Sequence, residues 1–209
     1  MEERYKNKYR VSSPRYRGWD YAWNGIYFVT INTHKQSCYF GDIVNGRMEI
    51  SDMGRIAKKI WQEIPMHFPN VRLEDFVIMP NHIHGLIVIE KEIDDGVYGR
   101  DAMVCKDNAG GRDAINRVFT DNANKFNLVS IDGGITGDNN PMGKNNLSEI
   151  VRWYKGRCSF EIHKLFGSKS FQWQTRFHEH IVKNEKSLEK IRWYIRHNPA
   201  KWHDDTYFV

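Results

Sequence analysis

The sequence predicts an α+β fold, an antiparallel sheet covered on one face by helices in the order β-α-β-β-α-β. Three observations carry that expectation. Apolar runs of strand length occur at 25–33, 76–79 and 86–89, bounded by turn residues. Other segments repeat their apolar residues every three or four positions, the period of a helix face. The two signatures interleave along 209 residues, enough for one sizeable core.

Residues 25–33 (Gly-Ile-Tyr-Phe-Val-Thr-Ile-Asn-Thr) are β-branched and aromatic and give the first strand. Residues 38–43 and 48–50, joined through Asn45-Gly46, give a short hairpin. Ser51 or Asp52 caps a helix with Ile56, Ile60 and Ile64 on one face, and Pro65 marks its end. A strand ending at Met79 and another through Ile89 follow, separated by Pro80-Asn81. From 91 to 146 the apolar periodicity is lost. Half of the sixteen glycines fall there, Asp and Asn are frequent, and Gly-Arg-Asp-Ala occurs at 99–102 and again at 111–114. A flexible insertion is expected, inside a single domain spanning 1–209.

Order resumes at Leu147. Ser148 caps a helix carrying Ile150, Val151, Tyr154, Cys158, Ile162 and Leu165. Residues 171–174 lead into a strand at 177–182. The last helix, 185–197, buries Leu188, Ile191 and Ile195 and stops at Asn198-Pro199. The whole reads as a ferredoxin-like sandwich with one long insertion.

Composition limits the function classes. With 40% hydrophobic and 13% aromatic residues the chain is not globally disordered. A net charge of +5 and a pI near 9.0 favour a polyanionic partner. The amino-terminal arm interleaves Arg4, Lys6, Lys8, Arg10, Arg15 and Arg17 with Tyr5, Tyr9, Tyr16 and Trp19. That mixture suits phosphate neutralisation and base stacking, and a solvated leader explains it equally well. Cys38, Cys105 and Cys158 are odd in number and far apart, against a disulfide framework or a cysteine zinc site. With neither a membrane-length apolar run nor a signal-peptide pattern, a soluble cytoplasmic protein with no membrane partner is expected.

Chemistry concentrates in Met79-Pro80-Asn81-His82-Ile83-His84-Gly85. Alternation along a strand puts His82 and His84 on one face, as half of a divalent-metal site or as two satisfied core histidines. In the last helix Tyr194 and Asn198 lie four apart at the edge of the apolar stripe. Packed on the face bearing His82 and His84, that helix brings two imidazoles, an amide oxygen and a phenol around one ion. A half-buried Tyr194 with Asn198 as a helix cap is the alternative. His178-Glu179-His180 repeats the His-x-His pattern on a more polar strand, suited to phosphate or to the rim of the site.

Taken in order, Met-Pro-Asn-His-Ile-His-Gly, a basic helix, Trp173-Gln174, Arg176-Phe177, Glu179-His180-Ile181, and Tyr194-Ile195 before Asn198-Pro199 resemble the HUH single-strand transposases, most closely the REP-associated tyrosine transposases. The resemblance covers nearly all of the chain outside 91–146. It implies His82, His84 and Asn198 as metal ligands, Tyr194 as nucleophile, and Mg or Mn as cofactor. It also implies strand cleavage near DNA hairpins through a 5′-phosphotyrosine link. Tyr154, on the other basic helix, is a competing nucleophile. Arg10, Arg15, Arg17, Arg152, Lys155, Arg157 and His180 are the expected contacts to single-stranded DNA and DNA hairpins, in a monomer or homodimer. Two further readings remain: a hairpin-binding relative that no longer cleaves, and a zinc hydrolase using His82, His84 and His180.

Overall fold

β-Branched and aromatic residues make Gly25–Asn32 the first strand, β1, of a computed structural model that describes residues 21–90, 146–167 and 170–209. The hairpin Gly41–Val44 (β2) and Arg47–Ile50 (β3) turns at Asn45-Gly46, both with positive φ. That is the left-handed pair a tight two-residue turn requires. Helix α1, Asp52–His67, starts on Ser51, whose hydroxyl accepts from the Gly54 amide. Strands β4 (Val71–Ile78) and β5 (His82–Ile89) follow. Helix α2 is Leu147–Phe166, strand β6 is His178–Val182, and helix α3 is Glu185–His197. A 3-10 segment, Pro199–Asp204, leads to the carboxy terminus.

The main sheet runs β4-β5-β1-β6, every pair antiparallel, so the two central strands are β5 and β1. This is the order of a ferredoxin-like sandwich, and the α+β class is as the sequence predicted. Alternation assigns the two faces. Tyr27, Val29, Ile31, Ile83, Ile87 and Ile89 meet α1 and α2 in the larger core. Ile26, Leu86, Val88 and Val182 meet Leu188 and Ile195 of α3 in a smaller one. Helices therefore cover both faces rather than one, with α3 alone on the second. β5 is buried at every residue, which explains its uninterrupted apolar sequence.

Two local expectations are corrected. Pro65 does not end α1, which continues to His67. A proline in the last turn forfeits one helical hydrogen bond, and that turn is held from outside. His67 stacks on Trp153 at 4.6 Å and Phe68 is buried. Helix α2 is capped by Asn146 rather than Ser148, its side chain accepting from the Glu149 amide. Apart from Asn146, the expected insertion at 91–146 lies outside the described residues, as do Arg10, Arg15 and Arg17.

Trp61 of α1 packs against β5 where Gly85 leaves room. A Cβ at Gly85 would fall 2.3 Å from the Trp61 ring. Gly85→Ala is expected to destabilise the protein by about 1–3 kcal/mol through overpacking, read as a lower midpoint in urea denaturation at unchanged slope.

Candidate active site

The even-numbered residues of β5 face α3, so His82 and His84 emerge together beneath it. Both are buried, and their Nε2 atoms lie 2.9 Å apart. Each ring is anchored through Nδ1. Thr30, opposite His84 on β1, places its Oγ1 2.8 Å from His84 Nδ1. The Asn81 Oδ1 lies 2.8 Å from His82 Nδ1. The Asn81 Nδ2 donates to the carbonyls of Gln36 and Tyr207, at 3.2 and 2.8 Å. With both amide protons committed, Oδ1 is the atom facing His82, so Nδ1 carries the proton and Nε2 offers a lone pair. Burial holds both imidazoles below their ordinary pKa, with the neighbouring His84 adding to the effect on His82. They are neutral, the form that ligates metal.

Helix α3 approaches from its apolar stripe, and Tyr194 leans over the histidines from one edge. Its hydroxyl is 3.1 Å from His84 Nε2 and donates to Asp205 Oδ2 at 3.3 Å. Phe28 meets both the His84 ring, stacked at 5.4 Å, and the Tyr194 ring, edge-on at 6.1 Å. The opposite edge of α3 is tied to the sheet. Arg192 binds Glu74 at 2.6 Å and Arg196 binds Asp75 at 2.7 Å, the two acids lying where the β4–β5 register shifts. Burial, then the Asp205 carboxylate, push the Tyr194 phenol above its ordinary range.

Asp205 is the candidate metal ligand that sequence reasoning missed. It follows the 3-10 segment, eleven residues after Tyr194, where no periodicity relates the two. Its carboxylate accepts from the Asn198 Nδ2 at 2.8 Å and, through Oδ1, from the Tyr207 amide at 2.7 Å. Burial would raise it, but His84 and these donors hold it well below the usual carboxylate range. Asp205 Oδ2 lies 4.0 Å from His84 Nε2, too far for a hydrogen bond and close enough to share an ion. His82, His84 and Asp205 each offer a ligand atom within 4.8 Å of the others and can hold a metal ion. The 2.9 Å between the Nε2 atoms suits adjacent ligands about 2.1 Å from one divalent cation. Asn198 is buried at the same place, and its Oδ1 has no hydrogen-bond partner among the described residues. An acceptor left so would cost about 1–3 kcal/mol, so the donor set fits a cation there.

The other expected residues fall elsewhere. Tyr154 is fully buried with its hydroxyl on the Ala57 carbonyl, and it faces α1 rather than the histidines. Arg152, Lys155 and Arg157 lie on α2, across the sheet from Tyr194. Arg157 pairs with Glu161, and Lys155 donates to the Gln174 carbonyl at 2.5 Å. Burial lowers the Lys155 pKa to about 8. His178 and His180 share the face of Thr30 and Phe28, are exposed, and lie on the outer strand. Only His178 approaches the centre, with its ring 6.4 Å from that of Tyr207.

No family model matches the chain. A protein of Haemophilus influenzae described as uncharacterized is 34% identical over 198 residues, covering 94% of this chain and 92% of that one. Among solved structures, a REP-associated tyrosine transposase bound to a REP hairpin aligns at a TM-score of 0.50 and 17% identity, over 91% of this chain and 74% of that one. That likeness is one of fold. No helix among the described residues is long and apolar enough to cross a membrane.

Because Asn81 fixes the His82 ring, Asn81→Ala is expected to weaken Mn binding about 10–100-fold, measured by titration with electron paramagnetic resonance detection of free Mn. Thr30→Val is expected to act in the same direction through His84. Unchanged affinity in both would show that the rings need no anchors.

Proposed function

We propose that this chain, which belongs to the same family as the uncharacterized Haemophilus influenzae protein, is a metal-dependent endonuclease and strand transferase acting on single-stranded DNA beside hairpins. One observation carries the reading: the Tyr194 hydroxyl lies 3.1 Å from His84 Nε2, at the edge of a His-His-Asp group in the same chain whose two histidines are buried. A structural metal site has no need of a partly exposed phenol, and Tyr194 is 38% exposed. The fold shared with a tyrosine transposase, and the Met-Pro-Asn-His-Ile-His-Gly and Tyr194…Asn198-Pro199 motifs, support the same reading.

His82, His84 and Asp205, with the Asn198 Oδ1 beside them, would hold the ion, which we take to be Mg or Mn. A bound divalent ion supplies Lewis-acid stabilisation of charge on a non-bridging phosphate oxygen. The rest falls to the chain's own groups. Tyr194 attacks phosphorus, the P–O3′ bond breaks, and the products are a 5′-phosphotyrosine and a free 3′-hydroxyl. With its pKa raised, Tyr194 is a phenol until the attack, so its proton must leave as the new bond forms. Asp205 Oδ2 already accepts that hydrogen bond, and the proton ends on the departing 3′ oxygen. The covalent link conserves the phosphodiester bond energy, so a 3′-hydroxyl can reseal the strand by the reverse attack. Arg152, Lys155, Arg157 and His180, with Arg10, Arg15 and Arg17 of the amino-terminal arm, are proposed to hold DNA away from the reacting phosphate.

The test is a labelled hairpin oligonucleotide with a single-stranded flank, incubated with Mn and resolved on a denaturing gel. Wild type is expected to form a covalent adduct that chelation with EDTA prevents and Tyr194→Phe abolishes. Asp205→Asn is expected to slow adduct formation about 10²–10⁴-fold. An adduct that persists in Tyr194→Phe removes the assigned nucleophile. Tight, salt-dependent hairpin binding with no adduct under any metal establishes instead a binding protein that no longer cleaves.

A further inference from the structure

The outward face of α3 carries a stripe that the chemistry above does not use. Lys186, Lys190, Trp193 and His197 follow one another at spacings of four, three and four, and Lys201 extends the line into the 3-10 segment. All five are exposed. Trp193 precedes the nucleophile in sequence, so the stripe runs beside the catalytic edge of the same helix, about a quarter-turn away.

Three details set this face apart from an ordinary solvated one. Trp193 is 50% exposed, and its indole is held in place rather than loose. His197 stacks on it at 4.4 Å and 18° and is itself fixed by a 2.8 Å bond from Nδ1 to the Trp193 carbonyl oxygen. The Lys201 ammonium sits over the indole, 4.6 Å from the ring centroid. The charges are also distributed unevenly around the helix. Arg192 and Arg196, on the edge facing β4, are neutralised by Glu74, Asp75 and Glu185. Lys186, Lys190 and Lys201 have no carboxylate within salt-bridge distance among the described residues, although Glu189 lies on the same helix.

We propose that this stripe is a track for single-stranded DNA, with Trp193 as the platform on which one base stacks and Lys190 and Lys201 as contacts to the flanking phosphates. It rests on the reading that Tyr194 acts on DNA, and extends it by assigning where the strand runs next to the cut. A base has an aromatic face whatever its identity, so the platform tolerates any sequence, while ammonium groups with no carboxylate beside them among the described residues meet the backbone. The base takes the place of the Lys201 ammonium over the ring, and an indole already fixed by the His197 stack loses little freedom when it is added, which favours binding there over an unrestrained surface aromatic.

The experiment measures binding of fluorescein-labelled oligothymidine and of an abasic backbone of equal length, by anisotropy, to wild type, Trp193→Ala, Trp193→Phe and the double variant Lys190→Glu/Lys201→Glu, each checked for an unchanged melting midpoint. Trp193→Ala is expected to lose about tenfold in affinity for oligothymidine and nothing for the abasic backbone, with Trp193→Phe recovering most of the loss. The lysine variant is expected to weaken both probes and to flatten the salt dependence. Equal affinities of Trp193→Ala and wild type for oligothymidine would overturn the platform, as would an equal loss on the abasic probe. A concentration-dependent dimer that dissolves in Trp193→Ala while DNA binding is unchanged would make the stripe a contact between copies of this chain, and so overturn it too. Adduct formation by wild type without Trp193-dependent binding refutes the track alone. Trp193-dependent binding without an adduct refutes the catalytic reading alone.

Discussion

Two buried, neutral imidazoles with their Nε2 atoms 2.9 Å apart are the constraint around which the rest is arranged. Lone pairs facing each other at that distance repel unless a proton or a cation lies between them. The surroundings determine which of these is favoured. The Asn81 amide, with both its protons committed to carbonyls, accepts only, so His82 keeps its Nδ1 proton. The Thr30 hydroxyl both donates and accepts, so His84 can hold its proton on either nitrogen. A proton on His84 Nε2 satisfies the pair in one state, and moving it to Nδ1 frees two lone pairs for an ion in the other. The threonine makes that change possible without moving a heavy atom.

Holding Tyr194 over this pair requires α3 to be fixed in rotation as well as position. Its apolar stripe of Leu188 and Ile195 on Ile26, Leu86 and Val88 sets the distance and supplies most of the stabilisation. A stripe of aliphatic side chains specifies rotation poorly. The ion pairs of Arg192 and Arg196 with Glu74 and Asp75 lie on one edge, and Tyr194 and Asn198 lie on the other. These pairs lie at the surface, where solvent screens them, so their consequence is chiefly geometric. They tie one edge of the helix to the irregular middle of β4, and the phenol on the far edge is thereby aimed.

Much of the fold was legible because burial and alternation act locally. The eight residues of β5 are apolar or histidine because both faces are covered, and the final helix shows its stripe at full contrast. The clustering of the candidate site was legible wherever a period links its parts: His82 to His84 by two, Tyr194 to Asn198 by four. Asp205 escaped because the chain between Pro199 and Asp204 has no regular period, so its return to the histidines is a tertiary event. Pro65 misled for the opposite reason, a strong local signal overridden by His67 packing on Trp153. That the basic residues of α2 lie across the sheet from Tyr194 was not legible, because charge does not reveal which face of a sheet a helix covers.

Asp205 also changes the electrostatics from what His82, His84 and Asn198 alone would give. Two neutral imidazoles and an amide around a dication leave a charge of +2. Adding one carboxylate leaves +1, which a single phosphodiester neutralises. A site at +2 would hold a lone anion tightly after reaction as well as before, whereas one at +1 is matched to one phosphate entering and leaving. Asn198 is then better seen as the partner that orients Asp205, through the 2.8 Å bond from Nδ2, with Oδ1 available to the ion on its other side. Burial, and then this carboxylate, raise the phenol beside it, so in the proposed reaction Tyr194 would stay protonated until a phosphate is present to attack. Under the proposed function, one residue from the tail would thus set the charge of the ligand group and restrain the proposed nucleophile. The two effects belong together, since a reactive phenolate beside two buried imidazoles would compete with substrate for the same cation.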